Sequence, residues 1–283
     1  MKNIYIIPNA LKDRDYDVTA RTAKLLRTYG ADVFLPEDAV KSGITECKYK
    51  AFSHIDTDLI IVIGGDGSFI DASPLAIDAD IPIVGINLGK VGYLSEIEPD
   101  DIAQLARIFD ENYRIDEKML LCAECNIGGA KASSSRLAVN DIVVSHTSYL
   151  GIADFTLCSN EGGLKCRADG VVISTPAGST AYSLSAGGPI VSHDANAMIV
   201  TPIAPHSFFN RSIVFSGNDE IKIENTGNDM LNVSLDGRCF ASLSPGDTCK
   251  VFASDKKLKV LTFKENNMFS TLFNKMKMLE EFI

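Results

Sequence analysis

The sequence is poor in the features that mark a metal enzyme, a secreted protein, a membrane protein or a nucleic-acid binder. Its four histidines, His54, His146, His193 and His206, show no HxxxH or HxH spacing, so none is assigned as a metal ligand. Its seven cysteines are odd in number and scattered, which fits reduced thiols in an intracellular chain rather than a disulfide framework. Cys122 and Cys125 form one CxxC pair, but no second pair stands at zinc-site spacing. The alternation in MLLCAECNIGG reads instead as a strand carrying core or surface thiols. No apolar run approaches membrane-spanning length, and the apolar stretch in MKNIYIIPNALKDRD is too short for a signal segment, so a cytoplasmic protein is expected. Basic residues are in deficit, 27 Lys and Arg against 37 Asp and Glu, for a formal net charge of −10. No global field would draw nucleic acid or an anionic membrane. A phosphate-bearing ligand must then be held by local amides, a few basic side chains and a metal ion.

What is present is an ordinary globular composition, 46% hydrophobic over 283 residues, enough for one large domain or two modest ones. Lys2 to Ile7 reads as a strand, Tyr16 to Tyr29 as a helix ending at Gly30, and Ala31 to Leu35 as a second strand. The runs at 59–63 and 81–86 read as further strands, with a helix from Ser68 to Ala79, interrupted at Pro74, between them. This βαβ series predicts an α/β N-terminal domain with an open parallel sheet over residues 1–115, closed by a helix from Asp100 to Tyr113. Short alternating stretches separated by Gly, Asn, Asp and Pro then predict a β-rich domain over 116–265. Residues 266–283 carry helical apolar spacing and are expected to pack on the body.

Two loops carry candidate chemistry. LIIVIGGDGSFI, Leu59 to Ile70, ends an unbroken β-branched run on Gly64, Gly65, Asp66 and Gly67. Such a run reads as a strand covered on both faces, and the carboxyl edge of a parallel sheet is where ligands bind. The glycines admit a close ligand, and Asp66 is the one acid–base group in the turn; a helix cap at Asp66 is the alternative. The second loop, ADGVVISTPAGSTAYSLSAGGPIV, Ala168 to Val191, places Gly178, Ser179 and Thr180 between a strand and a helix expected near Ala181. That turn would aim free N–H groups at phosphates or a carboxamide, or simply cap the helix.

In order and spacing, LIIVIGGDGSFI, NLGKVGYLSEI (Asn87 to Ile97), NDIVV (Asn140 to Val144), the Ala168 to Val191 segment and TPIAPHSFFNRSIVF (Thr201 to Phe215) resemble the NAD kinase family. The GGDG loop alone also occurs in diacylglycerol-type lipid kinases and phosphofructokinases, whereas TPAGSTAYSLSAGGP narrows the resemblance. It implies an NAD kinase-like two-domain architecture. It also implies transfer of the terminal phosphoryl group of ATP, or of polyphosphate, to the adenosine ribose 2′-hydroxyl of NAD, with Mg²⁺ or another divalent cation accompanying ATP.

Position by position, the resemblance makes Asp66 the catalytic aspartate and places Gly65 and Gly67 at the donor phosphates. Tyr93 and Leu94 would border the adenine pocket. Asn140 and Asp141 match the family's Asn-Glu clamp on NAD, with Asp141 one methylene shorter. Arg167, Asp169, Thr180, Ala181, Tyr182, Ser183 and Ser185 fall on the NAD-binding segment, and Ala177 replaces a frequent Thr or Ser. Arg238, after Asp236, is a weaker NAD candidate, a solvated arginine being the alternative. Lys90 reads as a surface lysine that can approach phosphates. A homodimer or homotetramer is implied by resemblance alone. Two rival readings are a lipid kinase and a non-catalytic NAD-binding regulator on the same scaffold.

Overall fold

Leu59, Ile60, Ile61, Val62 and Ile63 are all fully buried, the condition an unbroken apolar strand must meet. They belong to a computed structural model that describes residues 1–263 apart from 46, 90–91, 132–135, 148–150, 161 and 207–209. Lys90 and the helix expected over 266–283 lie outside the described residues.

The chain forms two compact units, Met1–Glu117 with the described residues from Leu258 on, and Lys118–Lys257. In the first, strands β1 (Asn3–Pro8), β2 (Asp32–Leu35), β3 (Lys48–Tyr49), β4 (Leu59–Gly64) and β5 (Ile83–Asn87) pair in the order β3-β2-β1-β4-β5, all parallel. Helix α1 (Asp17–Thr28) and a 3-10 helix (Pro99–Ile108) bury Ala23, Leu26, Leu105 and Ile108 against Ile4, Ile61 and Ile63. Side chains alternate along a strand, so Ile60 and Val62 are left for the opposite face, where α2 (Asp66–Ala79) contributes Phe69 and Ala76.

Two expectations change here. Helix α2 begins at Asp66 rather than Ser68 and runs through Pro74 without interruption. Proline forfeits one backbone hydrogen bond, and burial of Phe69, Ala72, Ala76 and Ile77 on the sheet offsets that loss. The Asp100 to Tyr113 segment is a 3-10 helix only to Ile108, with Pro99 opening it.

The second unit takes the remaining strands: β6 (Arg114–Ile127, from Lys118 on), β7 (Ala130–Lys131), β8 (Arg136–Ala138), β9 (Asp141–His146), β10 (Ala153–Ser159), β11 (Gly162–Ala168) and β12 (Gly170–Ser174). Beyond the four-residue helix α3 (Tyr182–Ser185) come β13 (Ala197–Ile203), β14 (Ile213–Ser216), β15 (Glu220–Asn225), β16 (Leu231–Leu235), β17 (Arg238–Leu243) and β18 (Thr248–Thr262). One antiparallel sheet has the order β14-β13-β12-β9-β16-β17, and β11, β10, β15 and the first part of β18 form a second antiparallel run. Ile142, Val144, Val171, Ile173, Phe155, Leu157, Ile221 and Ile223 fill the core of this unit. Cys122 and Cys125 lie buried in β6, in keeping with a strand of core thiols. The last residues of β18 return to the first unit, where Val260 pairs with Ile83, so a division of the chain that keeps everything from 116 to 265 together separates that strand from its sheet.

Candidate active site

In the first unit the sequence-predicted residues converge. Gly65 is the residue before α2 and offers no side-chain cap, which leaves the first-turn amides of the helix free of one. Asp66 is therefore not the cap. Its carboxylate turns to the loop after β5 instead: Tyr93 N–H donates to Oδ2 at 2.8 Å, and Leu94 and Ser95 N–H donate to Oδ1 at 2.9 and 3.1 Å. A carboxylate has about four acceptor positions, so Oδ2 keeps one for a ligand hydroxyl. The loop itself is folded back on the sheet edge, with Leu88 N–H on Gly64 O at 2.8 Å and Gly89 N–H on the Asn87 side chain at 2.9 Å. Burial, and secondarily the charge of Asp66, raise the Tyr93 phenol above its ordinary value. Leu94 is buried and Gly67 exposed. A cavity of about 320 Å³ opens between the end of β1 and α2, lined by Asn9, Ser68, Asp71 and Leu75 among others.

In the second unit Asn140 precedes β9 and Asp141 opens it. The turn at Asp236 and Gly237, both at positive φ (47° and 78°), aims the Asp236 carboxylate at three successive amides, Val139, Asn140 and Asp141, at 2.8, 2.8 and 3.1 Å. From the other side Thr175 N–H donates to Asn140 O at 2.9 Å. Gly178 packs so close that a Cβ there would collide with the same carbonyl oxygen. The main chain of Asn140 is thus held on both sides, while its carboxamide has no hydrogen-bond partner among the described residues. Asp141 is 5% exposed, and burial, then the neighbouring Asp236 charge, push its carboxyl up to about 7. Opposite it in register on β12, Ser174 has a buried Oγ without a partner among the described residues. Burial also raises the Asp236 carboxyl, outweighing its three amide donors and nearby Arg238. Arg238 itself is exposed at the start of β17.

The turn at 177–181 corrects the expectation of outward amides. Gly178 N–H donates to Thr175 Oγ1 at 2.9 Å, Ser179 N–H to Pro176 O and Ala181 N–H to Gly178 O. These donors are spent inside a 3-10 turn at Ala177–Thr180. Thr180 Oγ1 also bonds inward, to Ala177 O at 3.2 Å. Tyr182 is 45% exposed, hence not a core residue, and Ser185 is exposed as well. Ser183 is fully buried with its hydroxyl 3.2 Å from Thr201 Oγ1, a contact that seats α3 on β13. Arg167 is not drawn into this group: on β11 it pairs with Asp154 at 3.6 Å, at a groove of about 350 Å³ shared with Asn225 and Asp229. Asp169, half-buried between β11 and β12, exchanges backbone bonds with Ile203 and His146.

Reading the sequence missed Lys12, whose ammonium lies over the Gly65 backbone, and Ser174. The signal for Lys12 was its place just after β1, at the same sheet edge as Asp66.

Two domain profiles match the chain, the ATP-NAD kinase N-terminal domain over residues 5–113 and the ATP-NAD kinase C-terminal domain over residues 139–263. The chain belongs to the NAD kinase family. The NAD kinase of Lachnospira eligens is 35% identical over 98% of this chain and 100% of its own length, and that of Natranaerobius thermophilus 32% identical over 98% of each. The fold is shared with yeast NADH kinase in complex with NADH (TM-score 0.88, 22% identity, 98% of this chain and 88% of that one). It is shared also with an NAD kinase from Archaeoglobus fulgidus in complex with ATP (TM-score 0.73, 23% identity, 98% of this chain and 99% of that one).

Proposed function

We infer that this protein is an NAD kinase, a phosphotransferase that moves the terminal phosphoryl group of ATP to the adenosine ribose 2′-hydroxyl of NAD and yields NADP. Membership of the NAD kinase family along nearly the whole chain carries the reading, and Asp66 at the carboxyl edge of the parallel sheet gives it chemistry. The comparisons lend no support to a lipid kinase or to a non-catalytic regulator.

Asp66 is the proposed catalytic residue. Oδ2 accepts the 2′-hydroxyl proton as that oxygen forms its bond to the γ-phosphorus, and the bond to the β-phosphate oxygen breaks with ADP leaving as the anion. The three amides of Tyr93 to Ser95 fix the carboxylate, so little reorganisation accompanies the transfer. Gly65 and Gly67, with the first-turn amides of α2, face the donor phosphates. Among the described residues no group of three or more His, Cys, Asp or Glu is placed to hold a metal ion. Mg²⁺ would accompany ATP and supply charge neutralisation at the transferred phosphoryl group.

The NAD side is proposed to lie with Asn140 and Asp141, whose polar ends meet adenine and a ribose, and with Asp169, Thr180, Ala181, Tyr182 and Ser185. Arg167 and Arg238 are the cationic candidates there. In the first unit, Tyr93 and Leu94 are proposed to border an adenine pocket. Ser183 acts by position, its hydroxyl being committed to Thr201. A cytoplasmic homodimer or homotetramer is part of the proposal; among the described residues no helix is long and apolar enough to cross a membrane. The test is NADP formation from NAD and Mg-ATP, read by an NADP-specific dehydrogenase, with polyphosphate as a parallel donor. Product with either donor supports the reading, and no product with both refutes it.

A further inference from the structure

The segment from Leu59 to Ala79 contains no Lys or Arg, and its charged residues are Asp66, Asp71 and Asp78. A triphosphate carries several negative charges, and in a chain of net charge −10 the helix amides alone are a weak counterweight. The connection from β1 to α1 brings a cation to this edge. Asn9 N–H donates to Ile63 O at 2.8 Å, the Asn9 carboxamide donates to Ser68 Oγ at 2.7 Å, and its oxygen receives the amides of Leu11 and Lys12. The segment is thus tied to both β4 and α2.

From that loop the Lys12 side chain crosses to the phosphate loop. A Cβ on Gly65 would meet Lys12 Nζ at 2.6 Å, and one on Gly89 at 3.6 Å, so the ammonium rests against bare backbone of both loops that flank Asp66. Its neighbour in sequence, Asp13, is buried, and its carboxylate is committed to the Val18 and Thr19 amides of α1. Among the described residues Lys12 Nζ makes no ion pair or hydrogen bond. Among the described residues no carboxylate lies within ion-pair distance of this compact, strongly hydrated charge, which stands beside the positive end of a 14-residue helix and is left for an anionic ligand.

We propose that Lys12 is the cation that binds the phosphate chain of the phosphoryl donor, ATP or polyphosphate, its ammonium seated against Gly65 and Gly89. This rests on the kinase reading above. Asn9 holds the loop, and the absence of a side chain at Gly65 keeps the ammonium's seat open.

The test is calorimetric binding of Mg-tripolyphosphate, Mg-ATP and NAD to the full chain and to its Lys12→Met and Lys12→Arg variants, with NADP formation measured alongside. Losing one charge-assisted phosphate contact predicts roughly 10- to 100-fold weaker binding of tripolyphosphate and ATP in Lys12→Met, unchanged NAD affinity, and partial recovery in Lys12→Arg. Lys12 is exposed, so the melting temperature should stay near that of the wild type. Three results overturn the proposal: wild-type tripolyphosphate binding in Lys12→Met, a loss confined to ATP, or an equal loss for NAD. A wild type that binds tripolyphosphate through Lys12 but makes no NADP would sink the kinase reading and leave the phosphate site standing.

Discussion

Asp141 and Asp236 are tied by two hydrogen bonds: Asp236 N–H donates to Asp141 O at 3.0 Å, and Asp141 N–H donates to the Asp236 carboxylate at 3.1 Å. Two acidic side chains are thereby kept close in a buried corner, and the Asp141 carboxyl responds by holding its proton up to about 7.

That proton links stability to pH. Unfolded, Asp141 releases it near the ordinary carboxylate value of 3.8; folded, it keeps it to about 7, so the folded state binds more protons between those limits. The stabilisation is fully present below about pH 4 and is lost as pH rises through about 7. The gap sets an upper bound of roughly 4 kcal/mol. Asp236 is raised too and acts in the same direction. Urea midpoints at several pH values should show wild-type stability falling across this window and a shallower fall in Asp141→Asn. Equal slopes in the two proteins would contradict the assignment.

Thr175 is fully buried and uses its one hydroxyl twice, donating to Val139 O at 2.8 Å and accepting from Gly178 N–H at 2.9 Å. Thr175→Val keeps the shape and strands both backbone groups, at a cost of about 1–3 kcal/mol for each. We expect a lower denaturation midpoint and a raised KM for NAD, with the KM for ATP little changed.

Gly178→Ala tests the packing of the same turn. The added methyl would collide with the carbonyl oxygen of Asn140, a backbone atom that cannot swing aside, so Asn140 itself must shift. A loss of about 1–3 kcal/mol of stability and weaker NAD binding should follow, by thermal denaturation and titration. NAD binding at wild-type strength would show that Asn140 is not part of the NAD site.

A substitution remote from the site separates stability from chemistry. Ile61 is fully buried in the core beneath α1, and Ile61→Ala should cost about 2–5 kcal/mol. In the fraction that stays folded, KM for NAD and for ATP should both be unchanged.

The parts legible in the sequence were those encoded locally. The unbroken apolar run at 59–63 announced a strand covered on both faces, and the glycines after it placed Asp66 at a sheet edge. What escaped reading depends on tertiary contacts. The Thr175 hydroxyl satisfies an amide that glycine and serine content suggested was free for a ligand. Packing of Phe69 and Ala76 carries α2 through Pro74, where propensity alone predicts a break. The last residues of β18 join Ile83, a partner 177 positions earlier in the chain, which no window of sequence reveals. Lys12 reaches the phosphate loop only because β1 and β4 are neighbours.

The central claim is that Asp66 drives phosphoryl transfer to NAD, and its most direct test follows label from γ-labelled Mg-ATP into the 2′-phosphate of NADP in wild type and Asp66→Asn. In the variant one carboxylate oxygen becomes an NH₂ group. If that group faces Tyr93 N–H, two donors oppose each other, and a stability loss of about 1–3 kcal/mol is expected alongside the chemical effect. Circular dichroism and NAD titration at a temperature well below both melts separate the two effects. Labelled NADP is expected from the wild type, and a rate lowered by about 100-fold or more in the folded, NAD-binding variant. Transfer by that variant at a near-wild-type rate would contradict the central claim.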